Sequence, residues 1–170
     1  AMLPYLREHF GNPSSGHVYG SRARAAVARA REQVAALLGC DADEVVFTSG
    51  GTEANNLAIR GVTEALERKS HVVTTVIEHP ATARPCAWLE KHERSVTRIG
   101  VDADGRARVD AARDAIDGDT ALVTVMHSNN ETGVLQPVEE LARLAHAAGA
   151  LIHTDAAQSL GKVAIAVTSL

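Results

Sequence analysis

Cysteine is almost absent from this 170-residue chain: Cys40 and Cys86 are the only two. Two cysteines cannot form a disulfide framework, and their separation lacks the close spacing of metal-ligand pairs, so the usage fits thiols in a reducing cytoplasm. Aromatic residues make up 3% of the chain, which leaves little material for stacking nucleobases. Positive charge is not in excess, with 17 Lys and Arg against 21 Asp and Glu and a sequence pI near 6.1. A net charge of −4 argues against affinity gained by neutralising nucleic-acid phosphates or an anionic membrane, so no nucleic-acid or membrane partner is expected. Long apolar runs are missing as well. The aliphatic run near the C-terminus, Val163 to Val167, is far shorter than the roughly 20 residues of a membrane helix. The 13 glycines nowhere supply Gly-x-Gly-x-x-Gly, which removes the common dinucleotide fingerprint.

Alanine, by contrast, occurs 30 times, so an aliphatic core and many helices are expected in a length that suits one domain. Ser21 and Gly39 punctuate a helix over 21–39, and its Arg22, Arg24, Arg29 and Arg31 read as a solvated face. The β-branched run Glu44 to Thr48 reads as a strand, followed by a glycine turn and a helix from Glu53 to about Lys69. Further strands are expected at 71–77, 95–99, 121–126 and 151–154, with helices at 81–92, 109–116 and 138–148 between them. Val163 to Val167 reads as the start of one more strand. Strands separated by helices of this length make βαβ crossovers, so the class is α/β with a doubly wound, mostly parallel sheet. At the termini, Ala1 is not an initiator and Leu170 follows that strand start without a cap, which suggests a chain cut at both ends.

Ligands of such sheets bind beyond the carboxyl ends of the strands, and four polar clusters fall there. Ser49-Gly50-Gly51-Thr52 opens a helix: its free N–H groups can hold a phosphate, or it is a tight turn with Thr52 as N-cap. It lacks the Lys-Ser/Thr ending of a P-loop. His79 can stack on a flat heteroaromatic ligand and shuttle protons, or can simply be solvated. The amides of Asn129 and Asn130 can donate to an anionic oxygen, or can fold back on the backbone as a turn. Asp155 can pair with a cationic nitrogen or cap a helix, and one helical turn would bring Gln158 to its side. His127 with Glu131 is the one pair with plausible metal spacing, and Ser49, His79 and Asp155 are the components of a hydrolase triad without its nucleophile elbow.

Five segments in order carry a resemblance: Asn12-Pro13-Ser14-Ser15-Gly16-His17, Thr48 to Asn56, Glu78-His79, Asn129 to Gly133, and His153 to Ser159. Together they resemble the fold-type I pyridoxal phosphate enzymes of the class V aminotransferase family, most closely the cysteine desulfurases. The resemblance implies that Gly51 and Thr52 hold the cofactor phosphate and that His79 stacks on the pyridine ring. It implies further that Asn130 and Gln158 approach the phenolic oxygen and that Asp155 pairs with the pyridinium nitrogen. His79 and Asp155 would be catalytic as well as cofactor-binding. The activity implied is removal of sulfur from L-cysteine, giving L-alanine and an enzyme persulfide. Selenocysteine lyases, other class V relatives and a non-catalytic cofactor-binding fragment are the alternatives. A homodimer, a sulfur-acceptor or iron-sulfur scaffold partner and a cytoplasmic location are implied too. The family's Schiff-base lysine and sulfur-accepting cysteine have no match in Lys69, Lys91, Lys162, Cys40 or Cys86. Residues 1–170 are therefore expected to be the central part of a large cofactor-binding domain, and inactive alone.

Overall fold

A computed structural model describes residues 2–165 and 167. They form two compact units, one built from residues 2–47 and the other from residues 48–165.

The first unit is helical. A short helix, α1 (Leu3–Arg7), carries Pro4 in its first turn, where the missing N–H would be unpaired anyway. Sequence reading had found no element in these residues. Helix α2 spans Val18–Leu38, three residues earlier than Ser21 suggested. His17 is its N-cap, with Nδ1 accepting from the Gly20 amide at 3.3 Å, while the Ser21 hydroxyl folds back to the His17 carbonyl. Gly20 is required by close approach, since a Cβ there would lie 2.3 Å from the Ser15 carbonyl oxygen. The helix stops at Gly39, whose φ of 73° is the left-handed conformation glycine adopts without strain. Arg22, Arg24 and Arg29 are exposed on α2 as expected, and Arg31 lies over the Phe47 ring at 5.0 Å.

The expected strand from Glu44 to Thr48 does not form. Ala42–Glu44 is a 3-10 turn closed by Glu44 Oε2 accepting from the Asp41 amide, and Val45 to Thr48 join no sheet. Their β-branched side chains favour extended backbone, as at Val45, but a strand also needs a neighbour for its N–H and C=O groups. Among the described residues none pairs with them, and Val46 is 66% exposed and Phe47 47% exposed.

The second unit is the doubly wound sheet. After α3 (Gly51–Ala65) come β1 (His71–Thr75), α4 (Pro80–Glu90), β2 (Ser95–Ile99), α5 (Val109–Ala115), β3 (Thr120–Thr124), α6 (Val138–Ala147) and β4 (Leu151–His153). Every expected strand and helix of this stretch is present within a few residues. All pairings are parallel, in the order β2-β1-β3-β4. The central strands β1 and β3 are buried throughout, and successive side chains serve opposite faces. Val72 and Leu122 pack with Ile59 of α3 and Leu89 of α4, while Val73 and Val123 pack with Ala112 of α5 and Leu141 of α6. Each large aliphatic side chain so buried contributes about 2 kcal/mol before entropy is counted. The strand start expected over 163–167 is reduced to a single bridge between Leu160 and Val163, and Ala166 lies outside the described residues.

The order of the strands fixes where a ligand can sit. From β1 the chain crosses over to β2 on one side, and β3 then starts on the other side of β1 and leads outward to β4. Loops leaving β1 and β3 therefore diverge, opening a crevice at their carboxyl ends.

Candidate active site

Gly51, Thr52, His79, Asn130, Asp155 and Gln158, the six residues singled out from sequence, line one cavity of ≈ 230 Å³ at this crevice. They come from the N-terminus of α3, the N-terminus of α4, the loop after β3 and the loop after β4.

Gly50 is the N-cap of α3, and no side chain caps the helix. Thr52 is therefore inside the first turn rather than its cap, and the first-turn N–H groups are not used by a local side chain. Glu53 instead ties the preceding loop, its Oε2 accepting from the Ser49 amide and hydroxyl at 2.6 Å each. Those bonds hold its carboxyl below the usual value. Amide donors, a hydroxyl and a positive helix end are chemistry that suits an anion.

His79 is the N-cap of α4, and its Nδ1 accepts from the Ala81 amide at 3.1 Å. That bond consumes the Nδ1 lone pair, so the proton of the neutral ring resides on Nε2. The two asparagines divide the two readings between them. Asn129 turns inward, its Oδ1 accepting from the Glu131 and Thr132 amides, whereas Asn130 is exposed at the cavity.

Asp155 closes a turn rather than capping a helix: Oδ1 accepts from the Ala157 amide at 3.0 Å, and residues 157–159 form a turn. Its Oδ2 accepts from Asn55 Nδ2 at 2.7 Å. Gln158 reaches the cavity from that turn, and its Oε1 accepts from Lys162 Nζ at 3.2 Å. Lys162 thus reaches a lining residue of the cavity. Lys69 donates to the carbonyls of Thr120, Ala148 and Gly149.

The rival readings lack their contacts. Ser49 gives its hydroxyl to Glu53 and the His79 Nδ1 is taken by a backbone amide, so no nucleophile–base pair forms. The Nδ1 of His127 is hydrogen-bonded to Ser159 Oγ at 2.9 Å, and no metal-binding group of three ligands occurs among the described residues.

Two residues of the site escaped sequence reasoning. Asn55 lay within the quoted Thr48 to Asn56 segment without a role, although its position one turn after Gly51 puts both on one face of α3. Glu78 was noted only as the neighbour of His79. Its Oε1 accepts from Thr75 Oγ1 at 2.6 Å and from the Met126 amide at 3.0 Å, tying the ends of β1 and β3 together. Its Oε2 is sealed from solvent and has no partner among the described residues.

Comparison with known proteins places the chain. The Aminotransferase class-V family model matches residues 1–170, and the chain belongs to that family. It is 47% identical over 163 residues to a cysteine desulfurase of Nostoc sp., covering 96% of this chain and 41% of the relative. To the cysteine desulfurase IscS of Dictyoglomus turgidum it is 44% identical over 171 residues, covering 100% of this chain and 43% of the relative. Among solved structures, a NifS-like protein superposes with a TM-score of 0.94 at 36% identity, covering 98% of this chain and 46% of the other. A structure described as SspA in complex with cysteine gives 0.94 at 39%, covering 99% and 49%. The chain thus spans less than half the length of each of these relatives.

Burial pushes the Glu78 carboxyl up to about 7, against its two hydrogen bonds, and the Asp155 charge acts in the same direction as burial. A folded value above the unfolded one means that its stabilising contribution is complete below about pH 4.5 and is lost as pH rises through about 7. Glu78→Gln should therefore gain stability relative to wild type between pH 5 and pH 8, by up to about 3 kcal/mol. Urea unfolding of both proteins at the two pH values measures the gain, and an equal difference at both would contradict the buried acid.

Proposed function

We propose that the full-length protein carrying this chain is a pyridoxal phosphate-dependent cysteine desulfurase, which converts L-cysteine to L-alanine and leaves the sulfur as an enzyme persulfide for an acceptor. One observation carries the reading: six residues from four separate loops line a single cavity at the strand-order reversal. Membership of a family of pyridoxal phosphate enzymes supports the cofactor, and relatives named cysteine desulfurase, together with a neighbour described in complex with cysteine, support the substrate.

The donor set fits the cofactor. A helix N-terminus with Thr52 suits its phosphate, a carboxylate suits a cationic ring nitrogen, and an imidazole face with two amides suits the ring and its anionic oxygen. When bound, pyridoxal phosphate supplies an electron sink for the carbanion that substrate deprotonation leaves. Gly51 and Thr52 bind the phosphate through backbone N–H groups and the hydroxyl. Asp155, held at both oxygens, keeps the ring nitrogen protonated by stabilising the charged form. His79 would offer its ring face to the pyridine, and its Nε2, left free by the Nδ1 bond to the Ala81 amide, would hold or release a proton. Asn130 and Gln158 donate amide N–H groups to the phenolic oxygen. The lysine and the sulfur-accepting cysteine belong to the rest of the protein, along with its acceptor or iron-sulfur scaffold partner, and the two free thiols here suit a cytoplasmic setting.

In the full-length protein, Asp155→Asn should lower turnover on the order of 10²-fold while cofactor content stays near wild type, because the lost interaction acts on charge developed during reaction. Wild-type turnover in that variant would leave Asp155 with only a structural role, through its bonds from Ala157 and Asn55. We also propose a homodimer, since exposed edge strands and apolar side chains such as Val46 and Phe47 call for cover. Sedimentation of the full-length protein tests it, and a strictly monomeric active species would contradict it.

A further inference from the structure

We propose that Asn55 is a positioning residue that fixes the ring-nitrogen end of the cavity against its phosphate end. The inference rests on the cofactor reading above. Asn55 is 4% exposed, and its Nδ2 spends its donors on two acceptors from distant parts of the chain: Asp155 Oδ2 at 2.7 Å and Thr82 Oγ1 at 3.2 Å. The three elements that meet in this one amide are three of the four that build the cavity. Helix α3 carries Gly51 and Thr52 one turn before Asn55, α4 carries His79 one turn before Thr82, and the loop after β4 carries Asp155.

Each partner is constrained independently, which turns a hydrogen bond into a fixed separation. Asn55 and the phosphate-binding turn share one helix, so their offset is set by a rise of about 1.5 Å per residue. Asp155 Oδ1 is anchored by the Ala157 amide, which leaves rotation of the carboxyl to be stopped at Oδ2, and Asn55 stops it. Thr82 holds the amide from the other side, and the Thr82 amide itself donates to the His79 carbonyl at 2.9 Å. Asparagine suits this place because the group facing it is an acceptor: a donor without charge orients the carboxylate and leaves its negative charge for the ligand.

The test compares the apo form of the full-length protein with Asn55→Ala and with Asn55→Thr, which largely retains the volume but shortens the donor arm and guards against a folding failure in the alanine variant. Each is titrated with pyridoxal phosphate and with its 1-deaza analogue, in which carbon replaces the ring nitrogen. The variants should bind pyridoxal phosphate about tenfold more weakly, the loss expected for a hydrogen bond to a charged group, and the analogue within twofold of wild type. Equal weakening of both ligands would show a general packing role and overturn the proposal, as would no weakening of either. A wild-type protein that fails to prefer pyridoxal phosphate over the analogue would instead overturn the pairing of Asp155 with the ring nitrogen, and this inference with it.

Discussion

Reversal of strand order around β1, in a sheet whose strands all run parallel, is the constraint from which the site follows. Parallel strands must be joined by crossovers, and a right-twisted sheet accepts them with one hand, so the two directions of winding put helices on opposite faces. Where winding changes sense, between β1 and β3, the departing loops part and leave a crevice. The Glu78 carboxyl bridges the two strand ends at that point, through Thr75 on one side and the Met126 amide on the other. Backbone topology and one buried acid thus set the spacing of the loops that carry His79 and Asn130.

Electrostatically the crevice has two different ends. The α3 N-terminus offers uncapped amides and attracts an anion, while Asp155 offers a carboxylate and attracts a cation. No lysine or arginine is among the cavity's lining residues, so neither end is neutralised from within. Glu78 and Asp155 would repel each other if both were ionised, and burial shifts the proton to Glu78, whose pKa rises to about 7. Burial thus favours the protonated form of Glu78, the strut between the strand ends.

Strands and helices of the second unit were legible because their apolar periodicities agree with their burial, as Val72 and Val73 show by serving opposite faces of β1. Loop chemistry was legible where residue type and position coincide: an uncapped glycine turn, a histidine after a strand, an aspartate at a strand end. What stayed hidden depends on partners distant in sequence. Val45 to Thr48 have strand composition, but pairing is a property of a neighbour. Asn55 looks like its neighbour Asn56 in the sequence, and only the fold sends one amide to Asp155 and the other to the Thr52 carbonyl. Nor did Lys69 reveal that two carbonyls just after α6 and a third at the start of β3 await it.

In the proposed function these loops form one two-ended receptor for pyridoxal phosphate. Backbone amide NMR of the chain, titrated with the cofactor and then with inorganic phosphate, tests it most directly. The account predicts that both ligands shift Gly51 and Thr52, and that only pyridoxal phosphate also shifts His79, Asn130, Asp155 and Gln158. Cofactor-induced shifts confined to residues around the lysines, with these six unmoved, would contradict it.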